Sequence, residues 1–563
     1  MEILDYIIML VFTGIIVTAG LSFGKTGSSM KSYFAAGGAV PWRISSLSLF
    51  MSFFSAGTFV VWGSIAYQHG FVAIAIQMTM CLAGFFVGMF IAPAWQKSRA
   101  LTAAEFVSRR LGISVQKFYS YLILLISLMY TGAFLYPVAK IINVSTGFSI
   151  EACILVLGIL IILYTVVGGL WGVMITDVIQ FIVLTAAVII VVPLAFDRIG
   201  GVGELFTNAP PDFFNIVNDE YSWLFLLAFA IYNGIFIGGN WAYVQRYTTV
   251  DSPKSARKVG YLFAGLYLIS PFIWMLPPMI YRIVNPELSG LENEGAYLMM
   301  CKEVLPKGLI GLMLGGMVFA TASSVNTTLN LAAAVFTNDL YKSVRPNTKP
   351  KRLMFIAKMS VVIFGIITIL VALMVPSAGG IVEIVLSVGA VTGCSLYGPP
   401  IWALFSKYHT GRSILWCTIL GLAINVYFKF LHPLLTGISL SRAEEMLAGA
   451  VIPFALLAGY EAWARSRKEI ARDYIHYKEE QQRIESQSEG AEEDETEQSS
   501  EEQNHYGLKV LARTMAITSL IFISLALIAD HKALWITLSI GIIVGVGAWS
   551  IFRYTNTKIK ADV

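Results

Sequence analysis

The chain is predicted to be an all-α polytopic membrane protein, and three observations predict it. Of 563 residues, 56% are hydrophobic and only 13% charged, where a soluble domain carries about a quarter charged residues. Apolar runs of about 20 residues, the length a helix needs to cross a bilayer, recur along almost the whole chain. The Lys and Arg residues between those runs fall in alternate connections. Mean hydropathy is +0.71, and the net charge of +4 is too small and too dispersed to be a nucleic-acid footprint.

One crossing per apolar run gives about 15 transmembrane helices, near 3–23, 43–66, 70–95, 117–141, 150–169, 172–196, 222–246, 258–283, 308–338, 354–375, 380–405, 412–431, 446–463, 508–529 and 533–552. The first begins with Glu2 and Asp5, where a signal peptide would be basic, and stays apolar to Gly20; it reads as a retained spanning helix. The second, SLSLFMSFFSAGTFVVWG, meets Ser52, Ser55, Ala56 and Gly57 and then resumes. Such small residues suit either an interrupted helix or close helix contact. The sixth carries Asp177, a carboxylate inside a span and so a functional candidate. The ninth is the most polar. At 100° per residue Ser323, Asn326, Thr327, Asn330 and Thr337 share one stripe, while Met317, Phe319 and Leu331 point elsewhere.

Charge placement sets the expected topology. Connections after odd-numbered helices, with the C-terminal tail, hold Lys97, Arg99, Arg109, Arg110, Arg246, Lys254, Arg257, Lys258, Lys351, Arg352, Arg465, Arg467, Lys468 and Lys558. The opposite loops hold Asp197, Glu204, Asp212, Asp219, Glu220, Glu287, Glu292 and Glu294. That pattern predicts the N-terminus outside and the C-terminus inside. Residues 484–505 carry nine acids, no basic residue and no aromatic, so 465–507 is expected to be an acidic, disordered cytoplasmic loop. The remaining divisions are an N-terminal flanking helix (1–24), a transport core (41–406), flanking helices (407–464), a C-terminal helix pair (508–553) and a cytoplasmic tail (554–563).

The motifs exclude several classes of activity. There is no GxxxxGK[ST] and no HExxH, and an ATP-driven pump or membrane enzyme would need such a site. The five cysteines are odd in number and lie mostly in apolar runs, and the six histidines are scattered. Neither a disulfide framework nor a metalloenzyme is expected. What is left is transport, in which the chemistry is dehydration. A hard cation takes oxygen ligands, and in a bilayer an interrupted helix supplies carbonyls while a hydroxyl stripe supplies the rest.

The motifs YFAAGGAVPW (from Tyr33), LTAAEFVSRRLG, GGLWGVMITDVIQ, NWAYVQRY and ASSVNTTLNLAAAVFTNDLYK resemble those of the sodium/solute symporter family. That family includes sodium-coupled glucose/galactose, proline, pantothenate and sialic acid transporters. The resemblance implies a leucine-transporter-type core of two inverted five-helix repeats, here 41–196 and 221–406. It implies a coupling sodium held by the carbonyls of Met51, Phe54 and Ala320 and the hydroxyls of Ser323 and Ser324. A second sodium would fall on Asp177, Ser323, Asn326 and Thr327, giving one or two ions per cycle. Substrate positions carried over from a bacterial galactose transporter are Thr58, Gln77, Asn233, Phe236 and Tyr267, a set compatible with a neutral, hydroxyl-rich solute.

The implied function is sodium-coupled import of a small polar solute, a sugar or sugar derivative, by a multi-pass plasma-membrane protein (inner membrane in a Gram-negative cell). The alternatives are a carboxylate, amino acid or vitamin as solute, or proton coupling through Asp177. A membrane sensor that kept the fold would need a signalling domain, which 464–507 is too short and acidic to supply.

Overall fold

Serine, glycine and proline decide where the apolar runs bend. The computed structural model describes residues 1–22, 40–100, 102–164, 170–341, 345, 347–488 and 493–561, and among them it is helical with no strand. The YFAAGGA segment and the Gly168-Gly169 link lie outside the described residues.

Helix α1 (Ile3–Leu21) is continuous. The second run breaks. Helix α2 (Trp42–Met51) ends, Ser52–Ser55 is irregular, and a single π-helical turn over Thr58–Trp62 leads into α3 (Gly63–His69). Local side-chain bonds compete with the helical ladder here: Ser55 N–H donates to Thr58 Oγ1 at 3.2 Å, and the Thr58 hydroxyl donates to the Phe53 carbonyl. Gly70 then turns the chain at φ 59°, and a Cβ there would lie 2.0 Å from the Phe213 carbonyl oxygen, so only glycine fits.

Helix α4 (Phe71–Phe86) continues through a π-helical turn at Val87–Ile91 and a short segment to Lys97. Helices α5 (Ile113–Thr146), α6 (Ile150–Tyr164) and α7 (Leu170–Arg198) follow. Helix α8 (Trp223–Gly239) meets α9 (Trp241–Thr248) at a 62° bend. Asn240 sits at the bend, and its side-chain oxygen caps α9 by accepting the Ala242 N–H at 3.0 Å. Helices α10 (Pro253–Trp274) and α11 (Leu276–Val284) are separated at Met275, just before Pro277 and Pro278. Helices α12 (Leu309–Val335), α13 (Pro350–Met374) and α14 (Ile381–Phe405) follow, then α15 (Gly411–Val426) and α16 (Arg442–Ser466).

Every run expected from the sequence holds helix. Eleven helices among the described residues are long and apolar enough to cross a bilayer, or twelve with the bent pair α8–α9. Helices α2 and α3 are divided by the break, and the described apolar parts of α6 and α12 cover only 150–162 and 309–322.

Over 465–507, expected to be a disordered loop, the described residues hold helix. Helix α17 (Arg472–Ser488) and the start of α18 (Glu493–Ala526) occupy most of it, and α19 (His531–Ala561) packs against α18. Glu and Gln are good helix formers, and acids in a first turn favour the helix dipole. Composition weighed only the missing apolar residues.

Packing places the break of α2 against α7 and α10. Phe54 stacks on Trp274 with centroids 3.9 Å apart, and Phe50 sits 5.1 Å from Tyr267 and 5.6 Å from Phe181. The continuation of α4 crosses α10 backbone to backbone: a Cβ on Gly260 would stand 2.4 Å from the Gly88 Cα.

Candidate sodium and solute site

The last four carbonyls of an α-helix have no partner within it. In α2 the Ser48 and Leu49 carbonyls share the Ser52 N–H and the Phe50 carbonyl takes the N–H groups of Phe53 and Phe54, and Met51 is the fourth. Phe54 belongs to the irregular stretch that follows. Two of the three carbonyls expected to ligate sodium, those of Met51 and Phe54, therefore come from the broken helix. On α12 the Ser324 hydroxyl donates to the Ala320 carbonyl at 3.3 Å and Thr328 Oγ1 donates to the Ser324 carbonyl at 3.0 Å. A hydroxyl that donates once keeps two lone pairs, so Ser324 retains oxygen capacity for a cation, while the Ala320 carbonyl, inside α12, takes the Ser324 hydroxyl in addition to its helical N–H. The Ser323, Asn326 and Thr327 side chains lie outside the described residues.

A cavity of about 90 Å3 joins these elements. Ser52 enters from the break, Asp177 from α7, Phe236 from α8, Asn240 from the bend, Tyr243 and Arg246 from α9, and Ser324 and Thr328 from α12. Tyr130 of α5 and Tyr397 of α14 close the wall. Asn240 Nδ2 donates to the Tyr397 hydroxyl at 3.3 Å, which ties the bend to α14.

The charges in the wall are organised by one serine. The Ser48 hydroxyl donates to Asp177 Oδ2 at 2.7 Å and accepts from Arg246 Nη2 at 3.4 Å. Arg246 Nη1 donates to the Ala242 carbonyl at 2.7 Å, while Arg246 Nε has no hydrogen-bond partner among the described residues. Asp177 and Arg246 are 6% and 4% exposed. A buried ion is tolerable only beside its counter-ion, so the carboxylate and guanidinium stabilise each other across Ser48 and the wall carries no net charge from the pair.

The structure brings together some expected residues and not others. Asp177, Phe236 and Ser324 line the cavity. Asn233 lies one turn before Phe236, buried, with Nδ2 donating to Thr79 Oγ1 at 2.9 Å. Gln77 is buried on α4, and the Thr58 hydroxyl is engaged by the break. Tyr267 faces the rings of Phe50, Phe263 and Trp274. Those four are not in the cavity wall.

The sequence alone places Arg246 among the loop cations. The structure puts Arg246 in the cavity, because the chain bends at Asn240 and turns α9 inward. The signal was legible in NWAYVQRY: Tyr243 and Arg246 are three residues apart, hence on one helix face. Ser48 was also missed, as one of several serines in an apolar run.

The model of the sodium:solute symporter family matches residues 33–421, which contain every element of this cavity. The chain belongs to the sodium:solute symporter family. The symporter is 26% identical over 378 residues to the sodium/sialic acid symporter NanT of Aliivibrio fischeri, covering 65% of this chain and 75% of that protein. It is 25% identical over 505 residues to the sodium/glucose cotransporter of Vibrio parahaemolyticus, covering 81% and 90%. A solved structure of a Na+-coupled sialic acid symporter in a substrate-bound, outward-open state shares the symporter's fold, with a TM-score of 0.68, 22% identity and coverage of 82% and 97%.

Proposed function

We propose that this chain is a sodium-coupled secondary symporter that imports a small polar organic solute, a sugar or sugar derivative, by alternating access. The observation that carries this reading is the cavity in which a broken helix, a bent helix, a hydroxyl-bearing helix and a buried carboxylate meet. The principal sodium takes the carbonyls of Met51, Phe54 and Ala320 and the hydroxyls of Ser323 and Ser324. A second sodium takes Asp177, Ser323, Asn326 and Thr327. Phe236 and Asn233 on α8, with Thr58, Gln77 and Tyr267, are the proposed solute contacts, and Phe236 alone among them stands in the cavity wall.

The chain crosses the plasma membrane fifteen times in this reading, N-terminus outside, with inverted repeats over 41–196 and 221–406. It performs no enzymatic step. Coupling arises if sodium stabilises the outward-open state that the solute prefers, and solute must then raise sodium affinity by the same factor.

Uptake into reconstituted vesicles with an inward sodium gradient and no pH gradient tests the coupling. Solute accumulation is expected, and its absence there together with accumulation on a pH gradient would assign the coupling to protons. A second reading, an anionic solute such as a sugar acid, is favoured by Arg246 in the cavity wall. Two of the relatives are named for sialic acid, which carries a carboxylate, and others for glucose. Competition of labelled uptake by a neutral sugar and by its carboxylate derivative separates the two.

A further inference from the structure

On the surface between α4, α8, α14 and α16 lies an apolar groove of about 530 Å3 that shares no residue with the cavity at Asp177. Its walls include Leu82, Phe86, Phe90, Ile231, Phe405 and Phe454. The first five are between 37% and 64% exposed, so in a membrane protein they meet acyl chains.

One end of the groove is polar. Glu461 Oε2 accepts the Trp402 Nε1–H at 2.5 Å, and Oε1 accepts from Arg465 Nη2 at 3.4 Å. Ionised carboxylates offer about four lone-pair directions, so two remain after those bonds. The Arg465 side chain is 68% exposed, with its guanidinium 5.5 Å over the Tyr408 ring. A carboxylate at the end of an apolar slot and an exposed guanidinium one helical turn beyond it form a paired negative and positive site.

We propose that this groove binds a membrane phospholipid with a primary-amine headgroup, an acyl chain lying along the phenylalanines, the ammonium on Glu461 and the phosphate on Arg465. The charges favour this headgroup over the other bilayer lipids. A primary ammonium brings three N–H donors to the two open carboxylate positions. A choline headgroup has no N–H donor. An anionic glycerol headgroup gives Arg465 a phosphate but brings no second cation to the open positions of Glu461, whose one cation is Arg465 itself.

Trp402 lines the groove, and a brominated acyl chain quenches an indole it touches. The full-length protein is placed in phosphatidylcholine vesicles doped with brominated phosphatidylethanolamine, phosphatidylcholine or phosphatidylglycerol at equal mole fraction. Quenching of Trp402 is the difference between wild type and Trp402→Phe. Half-quenching by the ethanolamine lipid is expected at roughly fivefold lower mole fraction than by the other two, the upper range for one exposed ion pair, and Glu461→Gln should erase the preference. Equal quenching by all three lipids, stronger quenching by the glycerol lipid, or none of Trp402 overturns the proposal. Should either variant not fold, mass spectrometry of the intact wild-type protein with the three lipids mixed decides: enrichment of ethanolamine-lipid adducts supports the site and equal adducts reject it.

Discussion

At the residue scale, single substitutions test the proposed site. Ser324 holds its hydroxyl on the Ala320 carbonyl, two oxygens of the proposed principal sodium shell. Ser324→Ala removes one ligand without changing helix propensity for the worse; sodium-dependent uptake by the reconstituted protein should be abolished, and Ser323→Ala should do the same. Unchanged sodium activation in either variant would reject this ligand set. Ser48 bridges Asp177 and Arg246, and a hydrogen bond to a charged group contributes about 1.5–3 kcal/mol. Ser48→Ala should weaken sodium activation roughly tenfold or more if Asp177 ligates the second ion. It should leave sodium activation unchanged if Asp177 only balances Arg246. Arg246→Ala leaves a buried carboxylate without its counter-ion, a loss of about 3–5 kcal/mol, and folded yield should fall.

At the element scale, function rests on where helices stop being straight. The break after Met51 is held by the Thr58 hydroxyl, which accepts from Ser55 N–H and donates to the Phe53 carbonyl. Thr58→Val keeps the shape and strands a backbone donor, a cost of about 1–3 kcal/mol. Sodium affinity is expected to drop because the carbonyls of Met51 and Phe54 are no longer held in place; a flux assay against sodium concentration measures it. The crossing of α4 and α10 at Gly88 and Gly260 allows no side chain between the backbones. Gly260→Ala forces them apart at a cost of about 1–3 kcal/mol, and the midpoint of thermal unfolding in detergent should fall.

At the scale of the whole molecule, the charge pattern and the proposed coupling make separate predictions. With the N-terminus outside, Glu287→Cys should react with a membrane-impermeant maleimide in intact cells and Arg467→Cys should not; the reverse result inverts the topology. A solute that binds the sodium-loaded state should raise the unfolding temperature only when sodium is present, because binding to the folded state alone adds to its stability. A screen of sugars, sugar acids, amino acids and vitamins with and without sodium would name the solute class.

Composition and the length of the apolar runs were enough to predict an all-helical membrane protein and to place helix in every expected run, since both depend on local sums along the chain. The family was legible in short motifs, and Asp177 stood out as a lone carboxylate inside an apolar run, whereas Ser324 lies outside the polar stripe and entered only through the family resemblance. The tertiary structure decided what those residues face. Arg246 reads as a loop cation until the bend at Asn240 turns it inward. Tyr267 packs against the rings of Phe50 and Phe263, the first of them more than two hundred residues away in the chain. The helix within 465–507 was hidden because low hydrophobicity was taken for lack of structure. A cavity assembled from helices α5, α7, α8, α9, α12 and α14 and the break after α2 depends on contacts hundreds of residues apart, which no window along the sequence contains.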